Sequence, residues 1–243
     1  MTLHDLDTVP NTVLDRVELV LGALAGAGGT TVADVVGRTG IPRSSAHRLM
    51  ERLVQLGWLR RDGHGYGLGL AMLELGTLAI HQDPLRATAL PHLHELHRKT
   101  RLMVHLAVLD GDDVIYLDKI GGPRLESART RVGGRSPARE SVIGQALIAN
   151  TSAEGIDSDR IRERGFVIDR GAATGYGAIG AVVGPTGSRV GISISGPRSH
   201  LHFDPRHVFP LRSAANAIWR AADPAIRTRH RWQTSLSHSA CRA

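Results

Sequence analysis

The 243-residue sequence predicts an α+β protein with two domains. Up to residue 69, apolar residues follow a helical period in three successive segments, and a short hairpin pattern comes after them. From residue 102 onward, strand-like runs alternate with helical ones, and a separate apolar helix precedes this second part. Because 42% of the residues are hydrophobic, the chain has enough apolar side chains to build a core in each domain.

The first two helices follow a short polar arm at residues 1–10. The first begins at Asn11, since apolar residues recur from there at spacings of three and four, on one helix face. These residues are Val13, Leu14, Val17, Val20, Leu21 and Leu24. Thr31 and Asp34 have the spacing of a capping box, so they predict a second helix from Val32 to Thr39.

The third helix begins at Pro42, since proline suits a first helical turn, and Gly57 ends it. We expect its buried stripe to consist of Ala46, Leu49, Leu53 and Leu56. Two strands follow, Trp58–Arg61 and Gly65–Leu68, joined by the turn Asp62-Gly63-His64. Helix, turn, helix and a two-stranded wing form the pattern of a winged helix-turn-helix DNA-binding domain.

Basic residues concentrate on the third helix and the wing of this domain, which we assign to residues 11–69. Residues 38–61 contain six arginines and one acid, Glu51, whereas residues 1–75 carry one more acidic than basic residue. A focused basic patch fits docking in a groove of double-stranded DNA, although a solvated basic helix face would have the same composition. We expect Ser44, Ser45, His47 and Arg48 nearest the bases in the major groove. Phosphate contacts are expected from Arg43, Arg52, Arg60 and Arg61, with His64 at the wing tip.

The second half of the chain predicts a linker helix and then a mixed domain. The linker, residues 70–84, contains the apolar helix Leu70–Ile80, and Pro84 marks its end. Helices are predicted at Leu85–Thr100, Ser141–Asn150 and Pro205–Ala222. Strands are predicted at Leu102–Leu109, Val114–Ile120, Phe166–Asp169, Ala178–Val183 and Arg189–Ser195. Residues 224–243 are rich in arginine, serine and histidine and poor in apolar residues, which predicts a disordered tail.

Several motifs, in order along the chain, resemble the IclR family of bacterial transcription regulators. The segment Gly40–Leu49 resembles the entry to that family's recognition helix, and Val104–Gly111 resembles the first hairpin of its effector domain. Further matches, in order, are Arg131-Val132-Gly133, Gly144–Leu147, Arg164-Gly165-Phe166 and Ile192–Pro197. The ordered series covers roughly residues 10–222 and is more specific than any one motif.

The resemblance implies a GAF-like domain at residues 85–223 that binds a small organic or aromatic acid and mediates a homodimer or tetramer. The residues that match the family's effector pocket are Ser141, Val142, Ile143, Gly144, Asp169, Ala178, Ser193 and Ser195. Ser193 and Ser195 stand two apart on a predicted strand, so their hydroxyls share one face, while Ile192 and Ile194 point the other way. The implied function is a repressor or activator whose operator affinity depends on the bound acid.

The sequence also departs from the family pattern in the second domain. The stretch from Asn150 to Arg164 is only 15 residues long, shorter than in the family pattern, so the domain is shortened. Arg170-Gly171 replaces an acidic pair, and Ala178 stands where the family has a polar or thiol side chain. The alternative to an effector site is therefore a domain that only oligomerises, with its serines bonded to neighbouring backbone.

Motifs for catalysis or for cofactor binding are weak, so we expect that the protein is not an enzyme and holds no cofactor. The alternative function, of a different class from a regulator, is an enzyme that uses the C-terminal domain. Gly175–Gly180 fits G-x-G-x-x-G but precedes a strand and not the helix that a dinucleotide needs. Gly191–Gly196 lacks one glycine of G-x-S-x-G. His94 and His97 could share a metal, although thirteen histidines make chance pairs common.

The expected location is the cytoplasm, without membrane contact. No apolar run approaches the ~18 residues of a membrane span. The acidic start has no basic segment followed by an apolar one, which argues against a secretory signal. The single cysteine, Cys241, excludes a disulfide framework. The formal net charge of +7 decides little, because 28 of the 30 basic residues are arginines and GC-rich codon usage also produces that bias.

Overall fold

The structure is a computed structural model, which describes residues 12–24, 29–121, 130–151, 158–172 and 174–224. Contacts between residues divide the chain into two units, with the boundary between Ala79 and Ile80. The arm at residues 1–10 and nearly all of the tail at residues 224–243 lie outside the described residues. In the described part of the chain, no helix is both long and apolar enough to cross a membrane.

The first unit contains every element that the sequence predicts for it. In chain order these are α1 (Val13–Ala23), α2 (Val32–Thr39), α3 (Arg43–Gln55), β1 (Leu59–Asp62), β2 (Gly65–Leu68) and the greater part of α4 (Leu70–Gln82). The capping box of α2 is formed: the Asp34 N–H donates to Thr31 Oγ1 at 3.2 Å, and the Thr31 N–H donates to Asp34 Oδ2 at 2.8 Å. Strands β1 and β2 pair antiparallel, and Tyr66 also bridges to Thr30, which fixes the wing to the start of α2.

The core of the first unit corrects one predicted position on α3. Ala46 and Leu53 are buried and Leu49 is half-buried, as predicted, but Leu56 is exposed and Met50 is fully buried. The reason is that α3 ends at Gln55 and the chain turns at Gly57, whose φ is +73°, so Leu56 no longer follows the helical stripe. The remaining core residues come from the other elements and from the positions after α1 and α2: Val20, Ala23, Leu24, Val35, Ile41, Leu59 and Tyr66.

Helix α4 has no buried residue although most of its side chains are apolar. Its exposed leucines are Leu70, Leu73, Leu75 and Leu78.

The second unit is a six-stranded antiparallel sheet with helices on both faces. Its strands are β3 (Met103–Asp110), β4 (Asp113–Ile120), β5 (Arg135–Pro137), β6 (Phe166–Asp169), β7 (Tyr176–Val183) and β8 (Val190–Pro197), in the spatial order β5-β4-β3-β8-β7-β6. Its helices are α5 (Pro84–Thr100), α6 (Val142–Thr151), α7 (Ser158–Arg164) and α8 (Pro205–Ala221), with a 3-10 turn at Ala138–Glu140. No sequence pattern predicts β5, α7 or the 3-10 turn.

The two faces of this sheet carry different helices. Helices α5 and α8 cover one face with a core that includes Leu93, Leu211, Ile192 and Ile194, so the isoleucines of β8 point where the sequence predicts. Helix α6 covers the other face, where Ile143 and Leu147 pack against Ala107 and Tyr116.

Candidate nucleic-acid interface and effector site

The predicted DNA-contacting side chains lie on the solvent-facing side of α3 and in the wing. Ala46, Met50 and Leu53 turn one face of α3 into the core, so the positions between them face outward. Arg43, Ser44, His47, Arg48 and Arg52 are exposed and Ser45 is half-buried; Arg60, Arg61 and His64 in the wing are exposed. The structure thus brings together a donor-rich face on α3, and its contact with DNA stays a prediction.

The arginines of α3 and the wing differ in whether another side chain of the protein already pairs with them. Arg52 Nη1 donates to Gln55 Oε1 at 3.0 Å, and Arg60 pairs with Asp62 at 3.2 Å. Among the described residues, the guanidinium groups of Arg43 and Arg48 have no hydrogen bond or ion pair. A guanidinium without an acid partner can bond a phosphate or a guanine edge without first breaking an internal contact.

Glu51 joins α3 to the wing, a contact that no sequence pattern predicts. One of its carboxylate oxygens accepts a hydrogen bond from the Tyr66 hydroxyl at 2.7 Å, and the other accepts one from Arg61 Nη2, also at 2.7 Å. The bond from Tyr66 and then that from Arg61 lower the pKa of Glu51 below its usual value. Arg61 is therefore held by a carboxylate, unlike Arg43 and Arg48.

Three of the predicted effector residues of the second unit fall into one row across the sheet. Asp169 on β6 pairs with Ala178 on β7, and Ala178 pairs with Ser195 on β8. Side chains of directly paired residues in antiparallel strands point to the same face. The Asp169 carboxylate accepts the Gly171 N–H at 2.8 Å, and this side chain is exposed, whereas Ser195 is half-buried.

A second row lies next to the first and contains Ser193. Gly180, Ser193, His105 and Lys119 are paired successively across β7, β8, β3 and β4. Ser193 Oγ lies 3.5 Å from His105 Nδ1, and His105 Nε2 lies 2.8 Å from Thr130 Oγ1. Lys119 Nζ donates to the Thr130 carbonyl at 2.8 Å. The two rows together form a polar strip on the α6 face of the sheet.

Burial and then the charge of Lys119 lower the pKa of His105 to about 4, so its imidazole is neutral near pH 7. Its ring centroid lies 5.3 Å from that of Tyr116. Burial raises the pKa of the Tyr116 phenol, and hydrogen bonds with Ser136 and Ser141 oppose that rise. His105 and Tyr116 thus extend the polar strip to the start of α6, and neither was predicted as an effector residue.

The start of α6 places the remaining predicted residues against the sheet. Ser141 Oγ accepts the Gly144 N–H at 2.9 Å, which caps the first turn of the helix. Val142, Ile143 and Gly144 are buried. A Cβ on Gly180 would lie 2.6 Å from the backbone of Val142, so the absence of a side chain at Gly180 lets α6 approach β7 closely. Ligand binding by all eight predicted effector residues stays a prediction.

The described residues show no arrangement that supports the catalytic or the metal-binding alternative. Residues 176–183 form the strand β7, where the sequence predicts a strand at Ala178–Val183, so no helix follows the glycines of the G-x-G-x-x-G segment. Nowhere in the described ranges do three His, Cys, Asp or Glu side chains lie together as metal ligands would. His97 Nδ1 lies 2.7 Å from the Leu102 carbonyl oxygen, a contact within the fold.

Comparison with known proteins supports this architecture. The segment that aligns with the regulator KipR of Bacillus subtilis is 34% identical over 129 residues, 53% of this chain and 52% of KipR. The Pca regulon regulatory protein of Pseudomonas putida is 34% identical over 120 residues, 49% of this chain and 41% of that protein. The chain therefore matches about half the length of these two relatives or less.

A solved structure extends the likeness to nearly the whole chain. An IclR homolog from Microbacterium hydrocarbonoxydans, complexed with 4-hydroxybenzoate, superimposes with a TM-score of 0.71 at 26% identity, over 87% of this chain and 100% of that one. The family model of the IclR helix-turn-helix domain matches residues 13–63, and that of the bacterial transcriptional regulator IclR C-terminal matches residues 77–159. With a family model matched in each of its two units, the chain belongs to the IclR family of bacterial transcriptional regulators.

Proposed function

We propose that this protein is a sequence-specific DNA-binding transcription regulator, a repressor or activator, whose operator affinity changes when a small organic acid binds its second domain. The observation that carries the DNA-binding part is the outward face of α3, where Arg43 and Arg48 are exposed and have no acid partner among the described residues. Helix α3 and the wing hairpin together have the arrangement that enters a major groove and contacts the adjacent backbone. The named relatives are regulators, which supports the same function.

The Arg48→Ala variant is expected to bind the preferred operator roughly 10 to 100 times more weakly, the loss typical of one bidentate arginine–guanine contact. The operator is first selected from random double-stranded DNA with the full chain. Fluorescence anisotropy then measures the dissociation constants of wild type and variant on the selected and on a scrambled sequence.

The control for this measurement is Arg98→Ala, since Arg98 is an exposed arginine of α5 that pairs with Glu95. It is expected to bind the operator as wild type does. If Arg48→Ala binds equally tightly, or if wild type prefers no sequence over the scrambled one, the DNA-binding proposal is wrong.

The polar strip on the α6 face carries the effector part of the proposal. It offers two serine hydroxyls, from Ser193 and Ser195, and the ammonium of Lys119 to a bound carboxylate. Neutral His105 next to Ser193 can donate or accept a hydrogen bond, which suits a keto or hydroxy acid. The 4-hydroxybenzoate complex of the Microbacterium relative supports a small organic acid as the ligand class.

Replacing Ser195 by alanine is expected to weaken binding of 4-hydroxybenzoate about tenfold, because one hydrogen bond to a charged ligand is lost. Isothermal titration calorimetry on the full chain measures this dissociation constant. Ser199→Ala serves as the control, since Ser199 is an exposed serine in the turn after β8. Equal affinities for the Ser195 and Ser199 variants would contradict the assignment of Ser195, and no heat with any of a series of organic acids would favour a domain that only oligomerises.

We also propose that α4 of one copy pairs with α4 of a second copy in a homodimer or tetramer. Its four exposed leucines support this, because apolar helix faces are covered in stable assemblies. Two copies would read two half-sites, so the selected operator is expected to be roughly palindromic.

A further inference from the structure

A cavity of the second unit lies at α8, on the opposite face of the sheet from the polar strip. Its volume is about 700 Å³, within the range of small-molecule sites. Phe203 lies against Gly177 on the α8 side of β7, whereas the neighbouring Ala178 packs against the cluster that contains Val142 and Ala146 of α6. The cavity is therefore separated from the proposed effector residues by the sheet.

All three phenylalanines of the chain line this cavity. Phe166 begins β6, Phe203 precedes α8 and Phe209 lies in the second turn of α8. Phe166 and Phe203 are partly buried and pack against the main core, but Phe209 is 73% exposed. In a chain with so few aromatic residues, this concentration gives the cavity an apolar wall that can pack against a flat ring.

The polar side of the cavity is cationic. Arg212 and Arg220 lie on the same side of α8 as Phe209, at helical spacings. The acid in the lining, Asp204, already accepts hydrogen bonds from Arg206 on both of its oxygens. The guanidinium of Arg212 has no hydrogen bond or ion pair to any residue that the structure describes. A carboxylate would supply that partner in a bidentate geometry.

We propose that this cavity binds an aromatic monocarboxylate, with its ring among the three phenylalanines and its carboxylate on Arg212. Ser213, next to Arg212 in the chain, and Asn216, one helical turn after Arg212, offer further hydrogen bonds to the bound ligand. Charge complementarity selects the occupant: an uncharged aromatic compound would leave the Arg212 guanidinium unpaired, and a purely polar anion would leave the exposed Phe209 ring uncovered. The site lies outside the proposed DNA contacts and the proposed effector strip.

The three phenylalanines also provide a specific reporter. Incorporation of 4-fluorophenylalanine into the full chain gives one fluorine nucleus at each of Phe166, Phe203 and Phe209, all in this cavity. Single Phe→Leu variants assign the three fluorine NMR signals. The probe ligand is 2-naphthoate, and its uncharged analogue 2-naphthamide is the control ligand.

Titration with 2-naphthoate is expected to shift the Phe209 signal and at least one other to saturation. The amide is expected to bind at least tenfold more weakly, because it cannot form the charge-assisted pair. Arg212→Gln is expected to abolish this preference for the acid, whereas Arg98→Gln keeps it.

Several results would overturn the proposal. Signals that do not move up to about 5 mM 2-naphthoate mean that no such site exists. Equal affinity for acid and amide, or an unchanged affinity in Arg212→Gln, means that Arg212 does not hold the carboxylate. If a soluble nitroxide fails to broaden the Phe209 signal of the free protein, another part of the chain or a second copy covers the cavity, and the proposal is wrong.

Discussion

Replacing Gly180 by alanine is expected to destabilise the second unit by about 2 to 3 kcal/mol, the cost of inserting a methyl group where there is no room. The new Cβ would lie 2.6 Å from the carbonyl carbon and oxygen of Val142 and 2.8 Å from the Ile143 nitrogen. These are backbone atoms of the first turn of α6, so no side-chain rotation relieves the contact. Helix α6 must move away from β7, which also displaces Ser141 and Gly144 from the polar strip.

Urea unfolding of the full chain, followed by circular dichroism, measures this loss of stability. The matched control is Gly37→Ala in α2, where an added Cβ meets nothing within 4 Å and alanine favours the helix. The control is expected to keep or raise the free energy of unfolding. A Gly180→Ala protein as stable as wild type would show that the close approach of α6 to β7 is not required.

The sequence predicts the elements whose side chains alternate between core and solvent, and it misses those without such a pattern. The α3 stripe follows from helical spacing, and the α2 cap follows from Thr31 and Asp34. Helix α7 has the sequence Ser-Asp-Arg-Ile-Arg-Glu-Arg, with one apolar residue, so no periodicity indicates it. Strand β5 is three residues long and is formed by pairing with β4, which only the folded sheet provides.

The residues of the candidate sites also fall into two groups. Some follow from a local sequence pattern, and others come together only through strand pairing in the folded protein. Period-two alternation on β8 suffices to put Ser193 and Ser195 on one face. His105 joins that face through its register with Ser193, and Tyr116 joins it across a β-bulge between Leu106 and Ala107 that has no sequence signature.

In the first unit, composition identifies the basic patch, but it cannot show which arginines are already paired. Glu51 and Arg61 are ten positions apart and meet because the wing folds back beside α3. Arg48 lacks such a contact among the described residues. Substitution of Arg48 is therefore a more direct test of DNA binding than substitution of Arg61, because it does not also break the ion pair with Glu51.

Lowering the pH from 7 to 5 is expected to cost the protein about 2 kcal/mol of stability through His105 alone. Its pKa is about 4 in the folded protein, because burial and then Lys119 disfavour the charged ring, whereas an unfolded histidine titrates near 6.5. Between these two values the unfolded state binds the extra proton, so the free energy of unfolding falls as the pH decreases through this window. Well above pH 6.5 the ring is neutral in both states, so its contribution no longer changes.

The pH dependence of urea unfolding for wild type and His105→Gln isolates this contribution, because the other titrating groups are common to both proteins. Glutamine retains a hydrogen-bonding side chain toward Ser193 and Thr130 but takes up no proton. The variant is therefore expected to lose less stability than wild type between pH 7 and pH 5, by about 2 kcal/mol. His64→Gln is the control, since His64 is exposed at the wing tip, and it is expected to follow wild type. Parallel curves for wild type and His105→Gln would mean that the His105 ring takes up its proton equally well in the folded protein. The neutral imidazole proposed beside the bound acid would then be wrong as well.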